Sequence, residues 1–170
     1  MLKIITNLKP FIEDNYRLIN VREYARIQKA SPPTASKILL SLHKEDLLKK
    51  ENDKQYIYYY ADKESPLFID LSRIYWRLSL EHSGLTSFLE AELLNPVLIL
   101  FGSLSKAEAR QDSDIDLAVF SITKKEINLE EYEKKLKRKI QLILFQKRED
   151  VKSIELLNNI LNGYIIAGSW

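Results

Sequence analysis

The sequence predicts an α/β (α+β) protein in two parts: a small helix-rich unit, then a mixed sheet flanked by helices. Three observations carry this. Leu98-Ile99-Leu100-Phe101 and Ile115-Asp116-Leu117-Ala118-Val119 are apolar runs of strand length, separated by a Gly102-Ser103 turn and a short polar excursion. From Pro96 onward, apolar runs alternate with helical stretches. Before about residue 62 the order is helix, turn, helix, hairpin, which marks a separate unit. The expected organisation is 1–62, a helical connector at 63–95, and 96–170.

Composition narrows the class. A chain of 170 residues with 45% hydrophobic content can fill one core or two small ones, which excludes disorder. It has no cysteine, so disulfide frameworks and thiolate metal sites are excluded. Met1-Leu2-Lys3-Ile4-Ile5 lacks the apolar core of a signal peptide, and no run approaches membrane-spanning length. A soluble, cytoplasmic protein is the expectation. Net charge is only +2, but its distribution is uneven. Residues 1–60 hold eleven Lys/Arg against seven Asp/Glu, and 61–95 hold three against six. A basic first third points toward a nucleic-acid surface.

In the first third, 21–29 reads as a short helix with Tyr24, Ala25 and Ile27 inward. Ser31-Pro32-Pro33-Thr34 then restarts the chain, Ser as N-cap and Pro in the first helical turn. The next helix runs to about Glu45, with Ala35, Ile38, Leu39 and Leu42 at helical spacing on its inner face. Asp46 stands where the helix ends and tolerates left-handed geometry. A hairpin follows, with its turn at 51–55 and Tyr56-Ile57-Tyr58-Tyr59-Tyr60 as the return strand.

In the connector, Leu67, Leu71, Ile74, Tyr75 and Leu78 form an amphipathic stripe. Gly84 interrupts it, and Leu85, Phe88, Leu89 and Leu93 form a second stripe up to Pro96. Tyr75, Trp76 and Phe88 read as core or interface residues, and an apolar connector of this kind can serve as a homodimer interface.

In the last part, strands are expected at 97–101, 115–120, 140–145 and 164–167, with helices at 104–110, 128–139 and about 150–161. Leu129, Tyr132 and Leu136 make the inner stripe of the second of these helices, and the 134–139 lysine run makes its solvated face. Asp114 and Asp116, at i and i+2, point to one face because strand side chains alternate. Two carboxylates so placed can hold Mg²⁺, a hard cation that takes oxygen ligands and bridges to substrate phosphates.

Gly102-Ser103, ten residues, then Asp114-Ile115-Asp116 resembles the nucleotidyltransferase superfamily typified by DNA polymerase beta, in its minimal nucleotidyltransferase branch. The resemblance extends to the closing 160–168 segment. It implies transfer of a nucleotidyl group from ATP or another NTP to a hydroxyl, with Mg²⁺ or Mn²⁺ and release of pyrophosphate. By that likeness Gly102 and Ser103 contact the triphosphate, Lys106 offers a cation to the phosphates, and Asp114 and Asp116 are the catalytic metal ligands. Ala107 stands where the family commonly has glycine, which stiffens the loop. Asp112 reads as a loop charge. The main departure is Gln141, which stands where active members carry a third carboxylate. An amide oxygen is a neutral, weak ligand and cannot act as a base. Glu149 and Asp150 are candidate substitutes from the following loop. His43 and His82 read as surface or packing residues, so no histidine serves this site.

Residues 31–60 resemble the winged-helix DNA-binding domains of transcriptional regulators. That likeness implies Thr34, Ser36, Lys37, Ser41 and Lys44 facing duplex DNA, with Lys54 at the wing. Leu40 and Ser41 depart from it, since such domains often carry basic residues there. Two functions stay open. One is a nucleotidyltransferase that moves AMP onto a protein or nucleic-acid hydroxyl; some minimal nucleotidyltransferases are antitoxins that modify a partner toxin. The other is a winged-helix transcriptional regulator whose second domain is a catalytically weak nucleotide sensor or dimerisation module.

Overall fold

The computed structural model describes residues 2–53, 55–123 and 125–170, and the chain divides into two compact units. The first comprises Met1–Tyr75 together with Ala107–Gln111. Its elements are α1 (Lys3–Glu13), β1 (Ile19–Asn20), α2 (Val21–Gln28), α3 (Pro32–Lys44), β2 (Leu48–Asp53), β3 (Tyr56–Ala61) and the start of α4 (Pro66–Ser83). The second comprises Trp76–Lys106 and Asp112–Trp170. It holds the rest of α4, then α5 (Leu85–Glu92), β4 (Val97–Phe101), the short α6 (Gly102–Ser105), β5 (Ile115–Phe120), α7 (Glu130–Leu136), β6 (Ile140–Phe145), a 3₁₀ turn at Arg148–Asp150, α8 (Ile154–Leu161) and β7 (Tyr164–Ala167).

In the first unit, local chemistry sets the helix ends. Asn20 and Ser31 cap α2 and α3 by accepting from the backbone N–H of Glu23 and Thr34, contacts each worth about 1 kcal/mol. Asp46 has φ 54°, the left-handed turn that ends the helix and starts the hairpin. Three strands follow the order β1-β3-β2, all antiparallel. Tyr24 and Ala25 are buried, whereas Ile27 is exposed, because α2 spans only two turns and a single stripe faces inward. Ala35, Leu39 and Leu42 are fully or nearly buried, and Ile38 only half so. The hairpin strands reach further than expected, the first through 51–53 of the expected turn to Asp53 and the second, from Tyr56 as expected, to Ala61. Helix α1 was not anticipated from the sequence; Ile5, Leu8, Phe11 and Ile12 bury its inner face despite Pro10.

Segment 107–111, whose first four residues were expected to close a 104–110 helix, belongs to this unit as an irregular strap. Asn15 and Ala109 exchange two hydrogen bonds. The Asn15 N–H donates to the Ala109 carbonyl (2.8 Å), and the Ala109 N–H donates to Asn15 Oδ1 (2.6 Å). Asn15 is 1% exposed, and its Nδ2 donates to the Phe11 carbonyl. A buried polar side chain satisfied this fully holds the strap in one place.

In the second unit the strand order is β6-β5-β4-β7, with β5–β6 parallel and the other pairs antiparallel. All four strands fall where the apolar runs predict them. On one face Val97, Ile99, Phe101, Ala118 and Phe120 form a core with Val151 and Ile160, joined by Ile143, Phe145, Leu156 and Leu157. The alternate residues Leu98, Leu100, Leu117 and Val119 are buried on the other face. Helix α7 is shorter than expected because Lys137 takes a left-handed conformation. Leu129, Tyr132 and Leu136 are half-buried rather than core. Helix α8 starts only at Ile154, where Ser153 caps it.

Candidate nucleotide and metal site

The site grows out of the period-2 pattern of the sheet. Ala118 and Phe120 of β5 lie on the face covered by α8, so Asp116 lies at the end of that same row. Asp116 sits opposite Phe101 on one side and Gln141 on the other. Ile143 and Phe145 share the face of Gln141, so a polar residue stands at the open end of each row. Asp114 precedes β5 by one residue. Its Oδ2 accepts a 3.0 Å hydrogen bond from Gln141 Nε2. The chain is fixed here by the Ile115 N–H, which donates to the Lys139 carbonyl (2.8 Å), and by Arg138, which donates to the Ser113 carbonyl (2.5 Å).

Gly102 completes the arrangement. Its φ is +68°, and a Cβ built there would come within 3.0 Å of Asp116 Cγ. The turn after β4 therefore runs directly against the carboxylate, and only glycine allows both the backbone angle and the approach. Ser105 Oγ donates to the Gly102 carbonyl and tightens the turn. Ser103 is half-buried beside it. Lys106 is exposed, and its Nζ donates to Asn159 Oδ1 of α8 (2.7 Å). Ala107 has φ 55°, a left-handed conformation that glycine would adopt without the Cβ cost.

Burial, and then the charge of Asp114, push the Asp116 carboxyl above its ordinary value. Among the described residues, no lysine or arginine pairs with either acid. Two converging carboxylates without a cation, in a partly dry corner, match the donor set that a divalent ion takes. No third His, Asp, Glu or Cys joins them among the described residues. Glu149 and Asp150 do not substitute for Gln141. They follow the opposite end of β6, about 17 Å along a six-residue strand. Asp150 is moreover engaged by the backbone N–H groups of Gln146 and Lys147.

Residues 87–169 match the family model described as polymerase beta, nucleotidyltransferase. The match runs from within α5 through β7, including both acids, the Gly102 turn and Gln141. It supports a nucleotidyltransferase-like function for this part of the chain. No curated protein matches the sequence. Within the matched region, sequence reasoning missed Asn159 as the partner of Lys106, and Arg138 as the clamp on Ser113. Neither leaves a local signal, because both act across more than twenty residues of chain.

In the first unit, Thr34, Lys37, Ser41 and Lys44 are exposed on α3, and Ser36 is half-buried. Ser41 Oγ donates to Glu45 Oε1. Lys54 lies outside the described residues. His43 Nδ1 hydrogen-bonds the Leu48 carbonyl (2.8 Å), a packing role. No helix is long and apolar enough to cross a membrane among the described residues.

Proposed function

We propose that the C-terminal unit binds ATP or another NTP with Mg²⁺ or Mn²⁺ and transfers the nucleotidyl group to an acceptor hydroxyl. The observation that carries this is the pair Asp114 and Asp116, without a cation partner among the described residues, with Asp116 packed against the Gly102 turn. Asp114 and Asp116 would hold the metal through their carboxylate oxygens. Bound there, a divalent ion neutralises phosphate charge and polarises the reacting phosphoryl group. Gly102 and Ser103 receive the triphosphate, and Lys106 exchanges Asn159 for a phosphate oxygen. Gln141 fixes the orientation of Asp114 by donating to it. In the transfer the acceptor oxygen bonds to the α-phosphorus and the bond to the β-phosphate bridging oxygen breaks. Pyrophosphate leaves with that electron pair, and the hydroxyl proton passes to water, since Gln141 cannot accept it. Transfer is accordingly slow. Calorimetry tests the site: Asp114→Asn with Asp116→Asn should remove most Mg–ATP affinity. Binding equal to wild type would refute the assignment.

A second reading, a transcriptional regulator with a nucleotide-sensing domain, draws on Gln141 and on the exposed polar face of α3. Under it the first unit is a winged helix that binds duplex DNA through Lys37 and Lys44. Such binding is salt-sensitive, because phosphate contacts release counterions. Lys37→Glu with Lys44→Glu should abolish a low-salt gel shift while leaving the circular dichroism spectrum intact. No shift by the wild type would rule this reading out.

A further inference from the structure

The β2–β3 hairpin of the first unit has an outward face of its own. The two strands pair antiparallel, with Lys49 opposite Tyr60, Glu51 opposite Tyr58 and Asp53 opposite Tyr56. Residues directly opposite in such a pair share a face, so these six side chains form one surface. The alternate residues Leu48, Tyr59 and Ala61 are buried, which turns the six outward. Tyr56 is 47% exposed, and Tyr58 and Tyr60 are half-buried. The ring centroids of Tyr56 and Tyr58 lie 6.4 Å apart.

The charge on this face is negative. Lys49 is taken up by Asp62 (3.0 Å) and Glu64 (2.6 Å), one cation against two carboxylates. Glu51 and Asp53 are exposed and, among the described residues, have no ion-pair partner. Each of these two carboxylates therefore stands beside the tyrosine it faces across the ladder.

We infer that this face docks an extended, arginine-bearing segment of a partner protein. A guanidinium lies flat on an aromatic face and also takes a carboxylate through two parallel N–H···O bonds. A tyrosine with a carboxylate beside it offers both contacts at once. A lysine ammonium has no plane to stack, so it gains less from the ring. In an extended chain alternate residues share a side and are about 6.6–6.8 Å apart, close to the 6.4 Å between the rings. An Arg-x-Arg sequence thus sets one guanidinium against Tyr56 and Asp53 and the next against Tyr58 and Glu51. Nucleic acid does not fit the same face, because its phosphates would meet uncompensated carboxylates. Tyrosines on a stiff hairpin also suit an interface, since they bury a large area at a low cost in side-chain entropy.

The test uses the full-length protein and a fluorescein-labelled peptide, Gly-Ser-Arg-Ser-Arg-Ser-Arg-Ser-Gly, with affinity read by fluorescence anisotropy at low salt. Wild type should bind it, and the same peptide with lysine for arginine should bind about fivefold more weakly. Glu51→Gln with Asp53→Asn should weaken binding of the arginine peptide about tenfold and reduce its salt dependence. Both side chains are exposed, so this variant keeps the fold. Tyr56→Leu with Tyr58→Leu should weaken binding by about the same factor and narrow the preference for arginine over lysine. Three results would each overturn the inference: no binding of the arginine peptide by wild type at about 1 mM, equal wild-type affinity for the two peptides, or unchanged affinity in the carboxylate variant. Loss of duplex DNA binding in the tyrosine variant, with the peptide still bound as in wild type, would assign the face to nucleic acid and overturn it as well.

Discussion

Replacing Gly102 by alanine probes the close approach on which the site is built. Two separate costs follow from the structure. A non-glycine residue at φ +68° carries left-handed strain of about 1 kcal/mol. For a chain of this size that lowers the melting temperature by about 2–4 °C. The second cost falls on Asp116. The new Cβ would sit within 3.0 Å of its Cγ, and closer still to its carboxylate oxygen, so the carboxylate must retreat by about an ångström to reach ordinary contact. Mg²⁺ demands near-ideal geometry at about 2.0–2.1 Å, so a ligand displaced that far no longer coordinates. Mg–ATP affinity should fall at least about tenfold, or roughly 1.4 kcal/mol. Gly84→Ala is the control. Gly84 has φ +85°, but its Cβ would meet only Tyr132 at 3.9 Å, an ordinary contact. That variant should show the same drop in melting temperature with nucleotide affinity unchanged. Differential scanning fluorimetry and isothermal titration calorimetry on the two variants separate the terms. Mg–ATP affinity in Gly102→Ala within twofold of wild type would refute the reasoning.

Asp116 also makes a pH prediction. Its carboxyl is raised from 3.8 by burial and by Asp114, so the folded state binds its proton more tightly than the unfolded state does. Metal-free stability therefore falls as pH rises from about 4 through the raised value, and the cost is fully present above it. Asp116→Asn should melt higher than wild type at neutral pH in EDTA, with the gap closing toward pH 4; a lower melting temperature at neutral pH would contradict this. Gln141→Asp replaces the 3.0 Å donor to Asp114 with a shorter side chain that carries a like charge. Without metal the variant should lose stability, its melting temperature should rise more on adding Mg²⁺ than that of wild type, and transfer from radiolabelled ATP should increase. Vigorous wild-type transfer left unchanged by this substitution would show that another group supplies the third acid.

Short-range periodicity is enough to specify a definite part of this protein. The four strands at 97–101, 115–120, 140–145 and 164–167 were legible because β-branched and aliphatic runs bounded by Gly, Pro and polar residues have few other solutions. The shared face of Asp114 and Asp116 was legible for the same reason, since alternation fixes sides within a strand without knowledge of partners, whereas Gln141 joins them only through the β5–β6 register. Other features depend on long-range packing. Residues 107–110 of the strap read as the end of a helix in sequence, yet two hydrogen bonds between Ala109 and Asn15, ninety-four residues away, hold them out of that conformation. Helix α1 was hidden by Pro10, whose missing donor is offset by burial of Ile5, Leu8 and Phe11. The pairing of Lys106 with Asn159, and the distance of Asp150 from Gln141, depend on which strand lies beside which. No local pattern carries that information, because strand order and long-range side-chain partners are set by packing the whole sheet, not by any one segment of it.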